Sequence, residues 1–307
     1  MIKSKKKAKR VLLMWILLAL VSIGSVYLIV QYVLLQDELK KVTIRLETYS
    51  PKTLTTNFGK ITYADSELGI PILVAHGISG GYDQAYDALK GNEDRYRIIA
   101  PSRFGYLQSD VPTDTSPKAQ AKAFAQLLDE LRIEKAYVLG TSAGGTIAIR
   151  FALDFPERTL GLILYSSAMP FVQKPETVSD YQGPPAFLLN NYAMWLFKPL
   201  FKPVMGMDSD TIYQMLPISD RREGIKIDSI VVNPDMGKNY DDYPIEELQI
   251  PTLIIGARDD RVASFSAMQE GAKRFQNHEF IPFDDGGHML VGHEDEINQI
   301  LERFIIE

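Results

Sequence analysis

Cysteine is absent from the 307 residues. That removes disulfides, thiol nucleophiles and cysteine-ligated metals, and it suits a compartment where thiols would be at risk. Histidine is scarce, with four residues, so imidazole chemistry has few places to sit. No His-x-x-x-His pair or carboxylate cluster has metal-ligand spacing. The glycine-rich stretch Gly77–Gly81 lacks a following Gly-Lys-Ser/Thr, which leaves phosphate cradling unsupported. No metal and no other cofactor is expected. A basic stripe is missing as well. The net charge is −6, and the six positive charges in the first ten residues leave −12 on residues 11–307. An acidic body of this kind argues against nucleic acid as a partner.

What the chain has is apolar bulk and one long uncharged run. An apolar content of 46% against 23% charge is ordinary for a globular protein with a sizeable core. Val11 to Leu35 is 25 residues without a charge. As a helix it would extend about 38 Å, enough to cross a hydrocarbon layer of about 30 Å. Lys3, Lys5, Lys6, Lys7, Lys9 and Arg10 precede it, which predicts a cytoplasmic N-terminus with the rest outside. A cleaved signal peptide is the rival, with Ser22-Ile23-Gly24-Ser25 as its weak cleavage site. The apolar run continues ten residues past Ser25, and that favours an uncleaved anchor.

Beyond a short polar linker at 36–41, alternating patterns predict strands over 42–49 and 53–64, with Gly59 in a turn. From Pro71 the strands become continuously apolar (ILVAHG, RIIAPS, AYVLG, LGLILYSS, TLIIGA, HEFIPF) and alternate with helical stretches. Residues 117–132 are the clearest helix, opened by Pro117 and carrying Ala121, Phe124, Leu127, Leu128 and Leu131 at helical spacing. The alternation predicts an α/β fold, a mostly parallel central sheet with helices on both faces. It breaks at Met169 and resumes at Pro251. The stretch between holds nine of the 17 prolines and ten aromatic residues, so it reads as short helices forming a cap rather than a loop. A second packing layer without substrate contact is the plainer reading. The organisation expected is a basic tail (1–10), an anchor (11–35), a core (42–169 and 250–307) and a cap (170–249).

Chemistry centres on Tyr137–Gly145, YVLGTSAGG, a G-x-S-x-G motif between a strand and a helix. Such a turn projects the serine hydroxyl, here that of Ser142, above the end of a sheet. A serine needs a base within hydrogen-bond reach, and the base needs an orienting acid. His76 ends a core strand and His278 begins one. His288 follows Asp284-Asp285-Gly286-Gly287 after the last strand, where two glycines let the backbone bend. It is the expected base, with His293 as rival. Asp259 and Asp260 both follow LIIG, and composition does not choose between them.

The stretches LVAHGISGG (73–81), APSRFGYLQSD (100–110), VLGTSAGG (138–145), FPERTLGLILYSS (155–167), PTLIIGARDDRV (251–262) and GGHMLVGHEDEI (286–297) together resemble the α/β-hydrolase fold superfamily, in its capped esterase-like group. The order serine, acid, histidine is the one that fold requires. The resemblance implies Asp259 as the acid and the backbone N–H groups of Ile78 and Ala143 as the oxyanion hole. Gly105-Tyr106-Leu107 stands where the family has a small GYG, narrowing one pocket wall, and the HG-I turn departs from the HGGG lipase type.

The expectation is a membrane-anchored serine hydrolase acting outside the cytoplasm on a small acyl substrate, a carboxylic ester or monoacyl lipid. Ser142, His288 and Asp259 form its triad. A peptidase of the proline-releasing type is the alternative, with Glu176, Asp180, Asp208 or Asp210 to bind a free N-terminus. A non-catalytic binding protein on the same scaffold is the third reading.

Overall fold

The computed structural model describes residues 2–306. Its first element, α1, runs unbroken from Ile2 to Thr48. The linker at 36–41 and all but the last residue of the expected strand at 42–49 are therefore helix, which corrects the sequence reading. Val42, Ile44 and Leu46 alternate as a strand would, but Leu35, Leu39, Val42 and Leu46 also recur at helical spacing. The helical set is the one that packs: Leu35 and Val42 are buried while Ile44 is exposed. A pair of carbonyl and charge contacts typical of a helix, Thr43 Oγ1 to Leu39 O and Lys41 with Asp37 at 2.9 Å, lies on the same stretch.

After Pro51 the chain builds β1 (Lys52–Thr56), β2 (Gly59–Asp65), β3 (Ile70–Ala75), α2 (Tyr82–Asp87), β4 (Tyr96–Pro101), α3 (Pro117–Glu130), β5 (Ala136–Thr141), α4 (Gly144–Asp154) and β6 (Thr159–Tyr165). An insert then carries α5 (Asn191–Phe197), α6 (Phe201–Met205), α7 (Ile212–Met215), α8 (Arg222–Ile227) and α9 (Asn233–Lys238). The core resumes with β7 (Thr252–Ala257), α10 (Phe265–Ala272), β8 (His278–Phe283) and α11 (Glu294–Ile306). Ser116 caps α3 by accepting from the Ala119 N–H, and Pro117 occupies its first position.

The strands form one eight-stranded sheet in the order β1-β2-β4-β3-β5-β6-β7-β8. Only the pairs β1/β2 and β2/β4 are antiparallel; the other five are parallel. Two apolar layers flank it. One joins the sheet to α3, α4 and α10 through residues such as Phe124, Ile147 and Met268, and the other to α2 and α11 through Tyr82, Ala85 and Leu301. Covering both faces is what makes the central strands continuously apolar. A third apolar cluster joins α1 to the insert: Leu35 and Val42 pack with Trp195, Phe201, Ile212 and Leu216.

Because β3 to β8 run parallel, the segments that follow their last residues gather at one edge. Those segments contain His76-Gly77-Ile78, Ser142, Asp259-Asp260 and His288. Ligands of open α/β sheets sit at this edge.

Candidate active site

Ser142 follows β5 in the left-handed region, with φ of 50°. A non-glycine residue held there is strained, and the surroundings must hold it. They do so through three backbone bonds. Its N–H donates to Tyr165 O at 3.0 Å, and its carbonyl accepts from Gly145 N–H at 3.0 Å and Ala168 N–H at 2.9 Å. The flanking glycines are required by contact, not by φ. A Cβ on Gly144 would stand 2.0 Å from Ala75 O, and one on Gly145 would stand 1.6 Å from Ser167 Oγ. Strand and helix approach so closely that no side chain fits between them.

His288 lies in the turn after β8, where Gly286 and Gly287 both have positive φ (105° and 59°). Its Nδ1 is 2.8 Å from Asp260 Oδ2, and neither side chain is more than 9% exposed. Asp260 is oriented by its own turn: Oδ1 accepts from the N–H groups of Val262 (2.7 Å) and Ala263 (2.9 Å), leaving Oδ2 for the ring. The ring thus faces Asp260 and not Asp259, the residue the resemblance implied. Asp259 is exposed on the other side of the turn, and its Oδ1 accepts from the Gly287 N–H at 2.8 Å. One aspartate holds the imidazole and its neighbour holds the backbone that carries it. The sequence carried no signal for this choice, since either aspartate could form an Asx turn with the N–H groups two and three residues on.

The other histidines have different partners. His293 Nε2 is 2.8 Å from Asp285 Oδ1, and its ring stacks on Phe283. His278 Nδ1 faces Phe275 O. His76 is fully buried, and burial together with the charge of Arg103 holds its pKa well below the ordinary value. It is therefore neutral, and its contacts fix the tautomer: Nε2 accepts from the Arg103 N–H at 3.0 Å, so Nδ1–H donates to Gly77 O at 2.7 Å.

The turn after β3 abuts the serine. A Cβ on Gly77 would stand 3.1 Å from Ser142 Cβ. Both ends of Gly77 are gripped, its N–H by Gln84 Oε1 (2.8 Å) and its carbonyl by His76 Nδ1 and Arg103 Nη2 (3.1 Å). A trans peptide sends its C=O and the next N–H in opposite directions. Fixing Gly77 O thus fixes the direction of the Ile78 N–H. Arg103 is in turn held by Asp228 of the insert, at 2.5 and 2.6 Å, and the Tyr106 hydroxyl donates to the same carboxylate. Burial alone would lower Arg103's pKa, but Asp228 and Tyr106 raise it above the ordinary value. Tyr106, expected to narrow a pocket wall, is buried with its ring centroid 4.7 Å from that of His76, the two rings meeting edge to face. Sequence reading missed this network, since the pairing of Arg103 with Asp228 spans 125 residues.

Residues 70–295 match the family model described as the alpha/beta hydrolase fold. The chain belongs to that family. It is an enzyme, a hydrolase. Among curated relatives it is 39% identical over 119 residues to the uncharacterized hydrolase YcgS of Bacillus subtilis, covering 38% of this chain and 41% of that one. It is 30% identical over 229 residues to the 2-hydroxy-6-oxononadienedioate/2-hydroxy-6-oxononatrienedioate hydrolase of Paraburkholderia phymatum, covering 68% of this chain and 76% of that protein. Among solved structures, an esterase from Thermogutta terrifontis superposes with a TM-score of 0.65 at 21% identity, over 83% of this chain and 97% of its own. A membrane phospholipase A superposes with a TM-score of 0.65 at 20% identity, over 97% of this chain and 98% of its own. At those identities the two structures speak for the fold.

Proposed function

We propose that this hydrolase cleaves a carboxylic ester by way of a serine-bound acyl intermediate. The observation that carries the reading is the His288–Asp260 pair, 2.8 Å apart, on the same sheet edge as the strained Ser142. In this reading Ser142 Oγ attacks the acyl carbonyl and its proton passes to His288 Nε2. Asp260 accepts from Nδ1–H, fixing the tautomer and stabilising the imidazolium. The N–H groups of Ala143 and Ile78 receive the developing oxyanion, each such donor being worth about 2.7–4 kcal/mol in other hydrolases. The imidazolium then gives its proton to the leaving alcohol, and water releases the acid.

The insert acts as a cap over this edge. The pairing of both arginines buried around the turn after β3 favours an uncharged acyl substrate. Arg103 is matched by Asp228 and Arg221 by Asp83. A second reading is hydrolysis of a carbon–carbon bond next to a carbonyl, favoured by the activity for which the Paraburkholderia relative is named. The same serine and histidine would serve it, with a carbanion as leaving group. A third, peptidase reading has less support: Asp180 and Asp208 are paired with Lys238 and Lys202.

The anchor reading also belongs here. The large apolar residues from Val11 to Leu34 are exposed along the helix, and an exposed apolar run of that length calls for a bilayer. We place the catalytic body on the extracytoplasmic side from the basic residues before the run.

The test is a fluorophosphonate label followed by ester, amide and dienoate substrates. Labelling at Ser142 that disappears in Ser142→Ala, with ester turnover, is the expected result. Turnover of the dienoate alone would replace the ester reading with the second one.

A further inference from the structure

Resting on the anchor reading, we propose that the tip of the cap, exposed at Phe187 and half-exposed at Tyr192, is a bilayer-contact surface, and that the active site takes acyl esters residing in that leaflet. With Val11 at the inner boundary, about 20 residues of α1 fill a hydrocarbon layer of about 30 Å, which places the outer boundary close to Val30. The cap meets α1 at that level. The Tyr192 hydroxyl donates to Leu28 O at 2.5 Å, and Tyr32 meets the Tyr192 ring edge-on. Trp195 Nε1–H donates to Gln31 Oε1 at 2.9 Å. Tyrosine and tryptophan are the residues favoured where hydrocarbon gives way to headgroups.

The two pairings, 192 with 28 and 195 with 31, also give a direction. Helix α5 runs alongside α1 in the same sense, so its first residues are the ones nearest the bilayer. The turn that leads into them, Ala186–Leu188, carries Phe187 at 66% exposure, whereas Leu188 and Leu189 beside it are 3% and 6% exposed. A large aromatic ring left uncovered in the turn just before the helix that packs on α1 has the lipid as its natural cover. The seam continues to the site. Ile78, whose N–H faces the oxyanion in the proposed reaction, has its side chain packed in the cluster that contains Leu35, Val42, Tyr192 and Trp195. This apolar cluster links the leaflet-facing end of α5 to Ile78 beside the serine turn.

The absence of cysteine makes the test direct. In the full chain, Phe187→Cys carries a single environment-sensitive fluorophore, with Leu68→Cys on the exposed β2–β3 loop as the reference. Each is reconstituted at one chain per phosphatidylcholine nanodisc. The expected result is a blue-shifted emission at 187, quenched by nitroxide groups on the lipid acyl chains, and neither effect at 68. Water-like emission at both sites overturns the surface, and so does shielding that needs two chains per disc. The second arm compares Phe187→Asp with the unmodified chain on a disc-embedded long-acyl ester and a soluble short-chain ester. Turnover of the embedded ester should fall about tenfold, the factor that 1.4 kcal/mol of lost apolar contact gives, with the soluble ester unchanged. An equal rate on the embedded ester overturns the proposed source of substrate. Shielding at 187 in a chain that cleaves neither ester upholds the surface and instead removes the esterase reading.

Discussion

Asp259 and Asp260 show how much one residue of register decides. Both are carboxylates after the same strand, yet one accepts from a backbone N–H in solvent and the other is buried against an imidazole. Asp260→Asn should therefore lower kcat by about 10⁴, the effect of losing the tautomer-fixing acid in other serine hydrolases. Asp259→Asn keeps an oxygen for the Gly287 N–H and should stay within about tenfold of the unmodified enzyme, since it removes charge and not the bond. Steady-state kinetics on one ester compares the two, and equal losses would return Asp259 to contention. Arg103 and Asp228 act at one remove. Asp228→Asn weakens the grip on Gly77 O and so loosens the Ile78 N–H. The expected outcome is a fall in kcat with KM unchanged, bounded by the roughly 10²–10³ that a whole oxyanion donor contributes. The melting temperature should fall as well, because Arg103 loses its buried counter-charge. Slower fluorophosphonate labelling at a temperature where the variant remains fully folded, with KM unchanged, separates the positioning role from a general loss of structure.

Elements meet at Asp83, the second residue of α2. It is fully buried and accepts from Arg221 of the cap at 3.0 and 2.7 Å and from Arg45 of α1 at 2.9 Å. Burial alone would raise its pKa, but the two guanidinium groups prevail and hold it below the ordinary carboxylate value. A carboxylate with a depressed folded pKa stabilises the fold above its unfolded pKa, near 3.9, and that contribution is lost as pH falls through the folded value. Denaturant titrations from pH 6 to pH 2 should show acid destabilisation that is smaller in Asp83→Asn. That variant should itself be less stable by about 3–5 kcal/mol at neutral pH, the cost of leaving buried charges without their partner. The serine turn is the other junction. Gly144→Ala places a methyl against Ala75 O, and overpacking of this kind costs about 1–3 kcal/mol. The melting temperature and the fluorophosphonate reaction should fall together, because the same contact positions strand, helix and serine.

For the whole molecule, the proposed anchor helix α1 also serves as a structural strut. Leu35 and Val42 are 1% and 2% exposed against the cap. Leu35→Ala should cost about 2–5 kcal/mol, as large-to-small core substitutions do, and thermal unfolding in detergent measures it. A truncation after Leu35 should leave the cap cluster open to solvent and the product prone to association. The orientation has its own check. Leu68→Cys should react with a membrane-impermeant maleimide in intact cells, and reaction only after lysis would reverse the assigned topology.

Periodicity and punctuation determined the α/β sheet, the serine turn, the histidine loop and the existence of a separate helical insert. These follow from local rules: apolar runs for strands covered on both faces, helical spacing for α3, and glycines where backbones must touch. Only the tertiary structure decided between equally good local patterns. Residues 42–49 satisfy strand and helix spacing alike, and packing of Leu35, Val42 and Leu46 on the cap selected the helix. The turn after β7 offered two carboxylates, and the position of the His288 ring selected one. Arg103 with Asp228, and Arg45 and Arg221 with Asp83, join residues 38 to 138 positions apart. Charge pairing at such separations leaves no periodic trace in the chain, because only the folded sheet and cap bring the partners within reach.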